Sequence, residues 1–182
     1  MATFTVDLFT TLDGFGTGRV AYWGKEGPEL LAQRARTFGE REQTLVFGAN
    51  TYRLMQRFAP AEDDPSGAPL KAARKIVISQ TLAEPLNLPN TTLVAADALV
   101  AVPRLKGESP VPLRCHGSIA MNRALLAAGL VDRLELMVFP VIAGPSGGQP
   151  ILADLPEIDL ELVDARLFDG RVQQLVYIPT VR

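Results

Sequence analysis

Apolar and polar residues alternate at the start of the chain. Phe4, Val6 and Leu8 are separated by Thr5 and Asp7, with Phe9 following, which predicts an opening strand. Leu12 to Gly24 then carries Gly14, Gly16, Gly18 and Gly24, the composition of a mobile loop. Pro28 can open a helix through Phe38, with Leu30, Leu31, Ala35 and Phe38 near helical spacing and Gly39 as its stop. The short run Thr44 to Phe47 is continuously apolar after its threonine, as a strand buried on both faces should be. Gly48 follows directly, and Thr51 to Phe58 reads as a helix with Tyr52, Met55 and Phe58 inward. Ala59 to Pro69 has the Pro, Asp and Gly content of a surface loop.

Lys75 to Ser79 is a second buried-type strand and Thr92 to Ala95 a weaker one, while Ala98 to Leu105 reads as a short helix broken by Pro103. Val111 to Cys115 is a strand, His116-Gly117-Ser118 turns the chain, and Ser118 is placed to cap a helix through Ala128. Gly129 suits the left-handed residue that ends such a helix, with Leu130 packing back on Leu125. Leu134 to Val141 is a further strand, ended by the loop Ile142 to Pro150. Leu160 to Leu167 and Val172 to Ile178, joined across Asp169-Gly170, form a terminal hairpin. Strands alternating with helices and closing on a hairpin imply one α/β domain, residues 1–182. Its sheet is mostly parallel with an antiparallel edge.

Composition narrows the chemistry. At 182 residues a single core can bury roughly 70% of the unfolded surface, so folding needs neither disulfide nor metal. A net charge of −2 lacks the basic excess of a nucleic-acid binder or a polybasic membrane anchor. The N-terminus has no basic start followed by a continuous apolar core, and no apolar stretch is long enough to span a bilayer. A cytoplasmic protein is expected. One cysteine and one histidine leave no evident metal site.

That histidine, His116, also closes off nucleophilic chemistry. Ser118 is two residues away without the G-x-S-x-G elbow, and Cys115 is adjacent, so on a strand the thiol and imidazole face opposite sides. They read as a buried thiol and a strand-end imidazole. Asp63-Asp64 and the Glu157/Asp159 pair read as solvated surface charge. Gly14-Phe-Gly16-Thr-Gly18 is not G-x-G-x-x-G and reads as a flexible lid.

Two strand–glycine–helix junctions remain, Leu45 to Thr51 around Gly48 and Leu113 to Ala120 around Gly117. Each sets a glycine where backbone must approach something closely and a hydroxyl near a helix start. Free N–H groups and the helix dipole favour phosphate there. Ser79 and Thr81 end an intervening strand, at the carboxyl edge where α/β sheets bind ligands. Together these junctions suggest a nucleotide cradle.

The order of motifs resembles the dihydrofolate reductase superfamily, in particular the reductase of riboflavin biosynthesis that forms the C-terminal domain of bacterial bifunctional deaminase-reductases, and its stand-alone relatives. The resemblance rests on Thr11-Leu-Asp-Gly14, Phe47-Gly-Ala-Asn-Thr-Tyr52, Lys75 to Leu82, and His116-Gly-Ser118. Gly129 to Leu134, Pro140 to Gly144, Phe168-Asp-Gly170 and Leu175 to Pro179 complete it. It implies a three-layer dihydrofolate reductase-like fold and NADPH-dependent hydride transfer to a C=N or C=O carbon. The implied substrate is a small pterin-, pyrimidine- or sugar-linked compound, such as dihydrofolate or 5-amino-6-(5-phosphoribosylamino)uracil.

The resemblance also implies site residues. Gly48, Asn50 and Thr51 would line one phosphate turn, and Gly117, Ser118, Ile119 and Ala120 the other. Ser79, Gln80 and Thr81 would lie near the adenosine ribose, and Leu12 to Phe15 would cover the nicotinamide. Ala49 stands where the family usually has arginine, so NADH remains open beside NADPH, unless Arg53, Arg74 or Lys75 compensates. It also leaves open a catalytically weak nucleotide-binding or regulatory protein on the same fold; a flavin-binding oxidoreductase is the third alternative. For the proton donor, Asp13 is placed by motif, and Glu26 and Glu29 follow Trp23. Leu134 to Ile142 and the terminal strands could supply a homodimer interface, the alternative being an ordinary internal strand.

Overall fold

The computed structural model describes residues 1–17, 26–39, 42–57 and 65–182. Gly18, Trp23, Gly24, Phe58 and the Asp63-Asp64 pair lie outside them.

The first strand, β1 (Phe4–Thr11), sits well inside an eight-stranded sheet. It is followed by α1 (Pro28–Gly39), β2 (Thr44–Gly48), α2 (Ala49–Arg57), α3 (Gly67–Ala72), β3 (Arg74–Ile78), β4 (Thr91–Val94) and α4 (Ala98–Glu108). The chain continues through β5 (Leu113–Cys115), α5 (Ile119–Ala127), β6 (Arg133–Phe139), β7 (Ile158–Phe168) and β8 (Val172–Val181). Strand order is β4-β3-β2-β5-β1-β6-β8-β7. The first six strands in that row run parallel, and β8 and β7 are antiparallel to their neighbours. The mostly parallel α/β sheet with an antiparallel C-terminal hairpin is therefore as expected.

Alternation assigns the two faces. One face of β1 carries Phe4, Val6 and Leu8, which join Val46, Leu113, Cys115, Leu134 and Leu136 in a continuous core under α4 and α5. The other face is divided. Leu45, Phe47, Tyr52 and Val77 pack with Phe38, Met55 and Leu70 toward one side, and Leu30, Met137, Phe139, Phe168 and Val172 pack with Phe9 toward the other. Between these two apolar clusters lie Asp7, Arg114, Glu135 and Gln174, a polar strip across four strands.

Several local expectations change. The helix expected from Thr51 starts at Ala49, directly after Gly48. The end of the Ala59–Pro69 loop is helical from Gly67, a short element whose Leu70 N–H bonds to the Ser66 carbonyl. Pro103 does not break α4, which continues to Glu108. The ring sits on the exposed side, where water can take the carbonyl it frees, while Ala101, Val102 and Leu105 are buried on the other. Leu134 to Phe139 lies in an interior strand between β1 and β8. The edge strand beyond β8 is β7, where Leu160, Leu162 and Leu167 are exposed.

The two ends of α5 are closed differently. Its C-terminus ends as expected, with Gly129 left-handed (φ 65), its N–H on Leu126 and the Leu130 N–H on Leu125. Ser118 precedes its first turn, but the hydroxyl makes no capping bond. The terminal hairpin turns through Asp169 and Gly170, both at positive φ (51 and 62), with the Arg171 N–H closing on Phe168.

Candidate functional site

The two glycine junctions meet. Parallel β2 and β5 are neighbours, so Gly48 and Gly117 emerge side by side at the carboxyl edge, and the Gly48 N–H donates to the Gly117 carbonyl at 2.7 Å. A Cβ on Gly48 would stand 2.8 Å from Ser118 Oγ and 3.0 Å from its backbone nitrogen; one on Gly117 would stand 2.5 Å from Thr51 Oγ1. What each glycine approaches so closely is the other turn. The packing brings the N-termini of α2 and α5 together, with Thr51 and the uncommitted Ser118 hydroxyl between them. Asn50 accepts from Arg53, Ile119 is half-buried and Ala120 is exposed.

The third junction lies on the same edge, because β3 is the neighbour of β2 on its other side. Ser79 Oγ accepts from the backbone N–H groups of Thr81 and Leu82, which fixes the turn and leaves Gln80 and Thr81 exposed. Arg74 and Lys75 begin β3 and so lie at the opposite edge. Arg74 pairs with Glu42, and the buried Lys75 ammonium donates to the carbonyls of Lys71, Ala73 and Pro89. Neither replaces a cation at Ala49; of the three candidates only Arg53 stands at the right end.

A cavity of about 610 Å³ opens beside these turns. It touches Thr51, Gly117 and Ile119, runs under Leu31, Arg34 and Phe38 of α1, and reaches Asp7, His116, Glu135 and Gln174. Glu135 receives Arg114 through Nη1 at 2.8 Å and Nη2 at 3.1 Å, and Gln174 Nε2 at 3.3 Å. Asp7 Oδ2 receives Arg114 Nη1 at 3.3 Å. Arg34 Nη1 pairs with Glu26 at 3.1 Å and its guanidinium lies 5.7 Å from the Phe9 ring centroid. Burial opposes the charge on Arg114, but the carboxylates of Glu135 and Asp7 more than offset it and hold the guanidinium protonated.

His116 is neutral in this setting. Burial, reinforced by the Arg114 and Arg34 guanidiniums, pushes its pKa down to about 3. The ring packs against Phe38 and Phe47, and Nδ1 lies 3.5 Å from Asp7 Oδ2. Cys115 points the other way, as alternation requires, with Sγ 2.9 Å from Asn122 Oδ1; burial pushes the thiol up to about 12. The folded protein should therefore leave Cys115 unreacted with a thiol-specific reagent over hours, and one equivalent should react once guanidinium unfolds the chain. Rapid labelling of the native state would contradict this burial.

Two of the acids named for proton delivery are engaged elsewhere. Asp13 accepts from the Thr11 hydroxyl at 2.6 Å and from the Ala143 and Gly144 N–H groups at 3.0 and 2.8 Å, which holds its pKa down to about 2. It carries no proton at neutral pH. Glu29 accepts from the Asp169 N–H while Asp169 accepts from the N–H groups of Glu29 and Leu30, fastening the start of α1 to the terminal hairpin. Of Asp13, Glu26 and Glu29, the cavity touches Glu26 alone. Residues 12–17, expected to be mobile, are tied to the loop after β6. Leu12 bonds to Val141, Gly16 to Gln149 and Ile151 to Gly14.

Asp7, Arg114, Glu135 and Gln174 escaped the sequence reading, and His116 entered it only to be set aside. The available signal was the charged residue in each of three apolar strands, Val-Asp-Leu, Leu-Arg-Cys and Leu-Glu-Leu. On an isolated strand that alternation marks a solvent face.

The model of the RibD C-terminal domain family matches residues 2–173. The chain belongs to that family. Its members adopt the dihydrofolate reductase-like fold, and the architecture above is that fold. A protein of Shewanella sp. PV-4 described as a riboflavin biosynthesis protein superposes with a TM-score of 0.73 at 20% identity, covering 99% of each chain. A pyrimidine reductase-like protein of Corynebacterium diphtheriae gives a TM-score of 0.72 at 15% identity, covering 100% of this chain and 93% of the other. RibD of Acinetobacter baumannii gives 0.69 at 16% identity, with 99% of this chain matched to 58% of that one. No curated protein matches. Among the described residues no helix is long and apolar enough to cross a membrane.

Proposed function

We propose that this member of the family is a nicotinamide-dependent reductase, holding its nucleotide across the α2 and α5 N-termini and a small heterocyclic acceptor in the adjoining cavity. The observation that carries this reading is the continuity of one cavity from Thr51 and Gly117 to the buried polar strip. The residues present fit such a nucleotide. Two helix starts converge, their glycines leave no Cβ between the turns, and Ser118 keeps a hydroxyl free of capping.

Gly48, Asn50 and Thr51 would hold one phosphate and Gly117, Ser118, Ile119 and Ala120 the other, with Ser79, Gln80 and Thr81 beside the adenosine. When bound, the nicotinamide supplies a hydride. The protein's share is to orient the acceptor between α1 and the sheet, to exclude water with Leu31 and Phe38, and to fix the charges around the reacting group.

Ala49 makes the choice between NADPH and NADH an experimental one. NADPH or NADH at a hundredfold excess over its dissociation constant is expected to raise the melting temperature by ~5–10 °C. NADPH oxidation is then followed with 7,8-dihydrofolate and with 5-amino-6-(5-phosphoribosylamino)uracil. No thermal shift with either nucleotide sinks the reading. A shift without oxidation favours a nucleotide-binding protein that has lost turnover, the alternative that Ala49 raises.

A further inference from the structure

The polar strip under α1 is costly to bury unless its hydrogen bonds are complete. They are not. Among the described residues Asp7 Oδ1 and His116 Nε2 are buried without a partner, and both residues line the cavity. A substrate atom entering the cavity would supply what is missing.

Charge distinguishes Asp7 from its neighbours. The groups facing it are Arg114 and neutral His116 at the end of β5, Glu135 beside it on β6, and Arg34 with Glu26 from α1 and the segment before it. Among the described residues three carboxyls (Asp7, Glu26, Glu135) face two guanidiniums (Arg34, Arg114), and this set is neutral when one carboxyl keeps its proton. Glu135 binds Arg114 with both oxygens and Glu26 binds Arg34. Asp7 has only long contacts, to Arg114 at 3.3 Å and His116 at 3.5 Å, both on Oδ2. A proton on Asp7 therefore belongs on the unpartnered Oδ1.

We propose that Asp7 is the proton donor of the reaction, delivering the Oδ1 proton to the nitrogen or oxygen of the C=N or C=O group being reduced. This rests on the reductase reading above. The acceptor carbon gains the hydride of the dihydronicotinamide, which is oxidised, and the C=N or C=O π bond opens. The heteroatom takes the Asp7 proton, and Asp7 is left as a carboxylate against Arg114 until water reprotonates it. Burial raises the Asp7 carboxyl above the ordinary carboxylate range, with the Arg114 and Arg34 guanidiniums pulling against that shift. His116, neutral and lacking a proton to spare, is placed to orient the acid rather than replace it.

Infrared spectra of the wild type and Asp7→Asn at pH 7 test the protonated state without any substrate. A carboxylic-acid C=O band present in the wild type and missing from Asp7→Asn is expected; no such difference overturns the proposal. NADPH binding, read as a thermal shift, should persist in Asp7→Asn, which also shows that the variant folds. With whichever of the two acceptors above is turned over, Asp7→Asn should lose ~100-fold or more in kcat. The wild-type rate should fall as pH rises through the Asp7 pKa, and that limb should vanish in the variant. An unchanged rate and profile in Asp7→Asn overturns the assignment. Absence of a wild-type nucleotide shift instead overturns the reductase reading, and the infrared result then decides the state of Asp7 separately.

Discussion

Replacing Arg114 with methionine is expected to cost about 3–5 kcal/mol of stability, because it leaves the Glu135 carboxylate buried without its counter-charge. The Arg114 side chain is 12% exposed, and its guanidinium makes four side-chain contacts, to Gln43 through Nε, to Asp7, and twice to Glu135. Water is largely excluded from the pair, so little solvation is available to the stranded carboxylate. Urea unfolding at pH 7 measures the effect, as a lower midpoint with the slope unchanged. A double variant, Arg114→Met with Glu135→Leu, should recover most of the loss, since two apolar groups of similar volume remove the unpaired charge. A loss below about 1 kcal/mol in the single variant would mean that the strip is hydrated rather than buried.

Gly117→Ala should also be severe, at about 2–4 kcal/mol, and should abolish the thermal shift by NADPH. Two independent causes add. Backbone at φ 123 is rarely adopted by residues with a side chain, and the new Cβ would stand 2.5 Å from Thr51 Oγ1. The turn would separate from α2, spoiling the junction at which both helix starts meet. Gly107→Ala is the matched control. That glycine lies in α4 with nothing within 4 Å of an added methyl, so alanine should be neutral or stabilising by up to about 1 kcal/mol. Equal effects at the two positions would refute the close-packed account of the turns.

Local patterns carried much of the fold. The apolar run Leu45 to Phe47 reads as an interior strand and is one, and Gly129 with Leu130 closed α5 as the glycine foretold. Pro103 misled because a missing N–H is a local penalty, whereas burial of Ala101, Val102 and Leu105 is decided by the layer packed against α4. Asp13 is a related case. Its place in the Leu-Asp-Gly turn is visible, but the Ala143 and Gly144 N–H groups that commit its carboxylate come from 130 residues away.

The chain's own pattern determined the class of fold, the mostly parallel sheet and the two glycine junctions, because period, turn chemistry and helix ends are properties of short segments. Tertiary structure alone decided that the junctions touch, since that needs β2 and β5 to be neighbours although more than 60 residues of chain separate them. It also decided that Asp7, Arg114 and Glu135 are buried. Alternation puts these residues on one face of the sheet, and only the docking of α1 and α2 removes that face from water. Charges that a single strand would present to solvent thereby become the floor of a cavity.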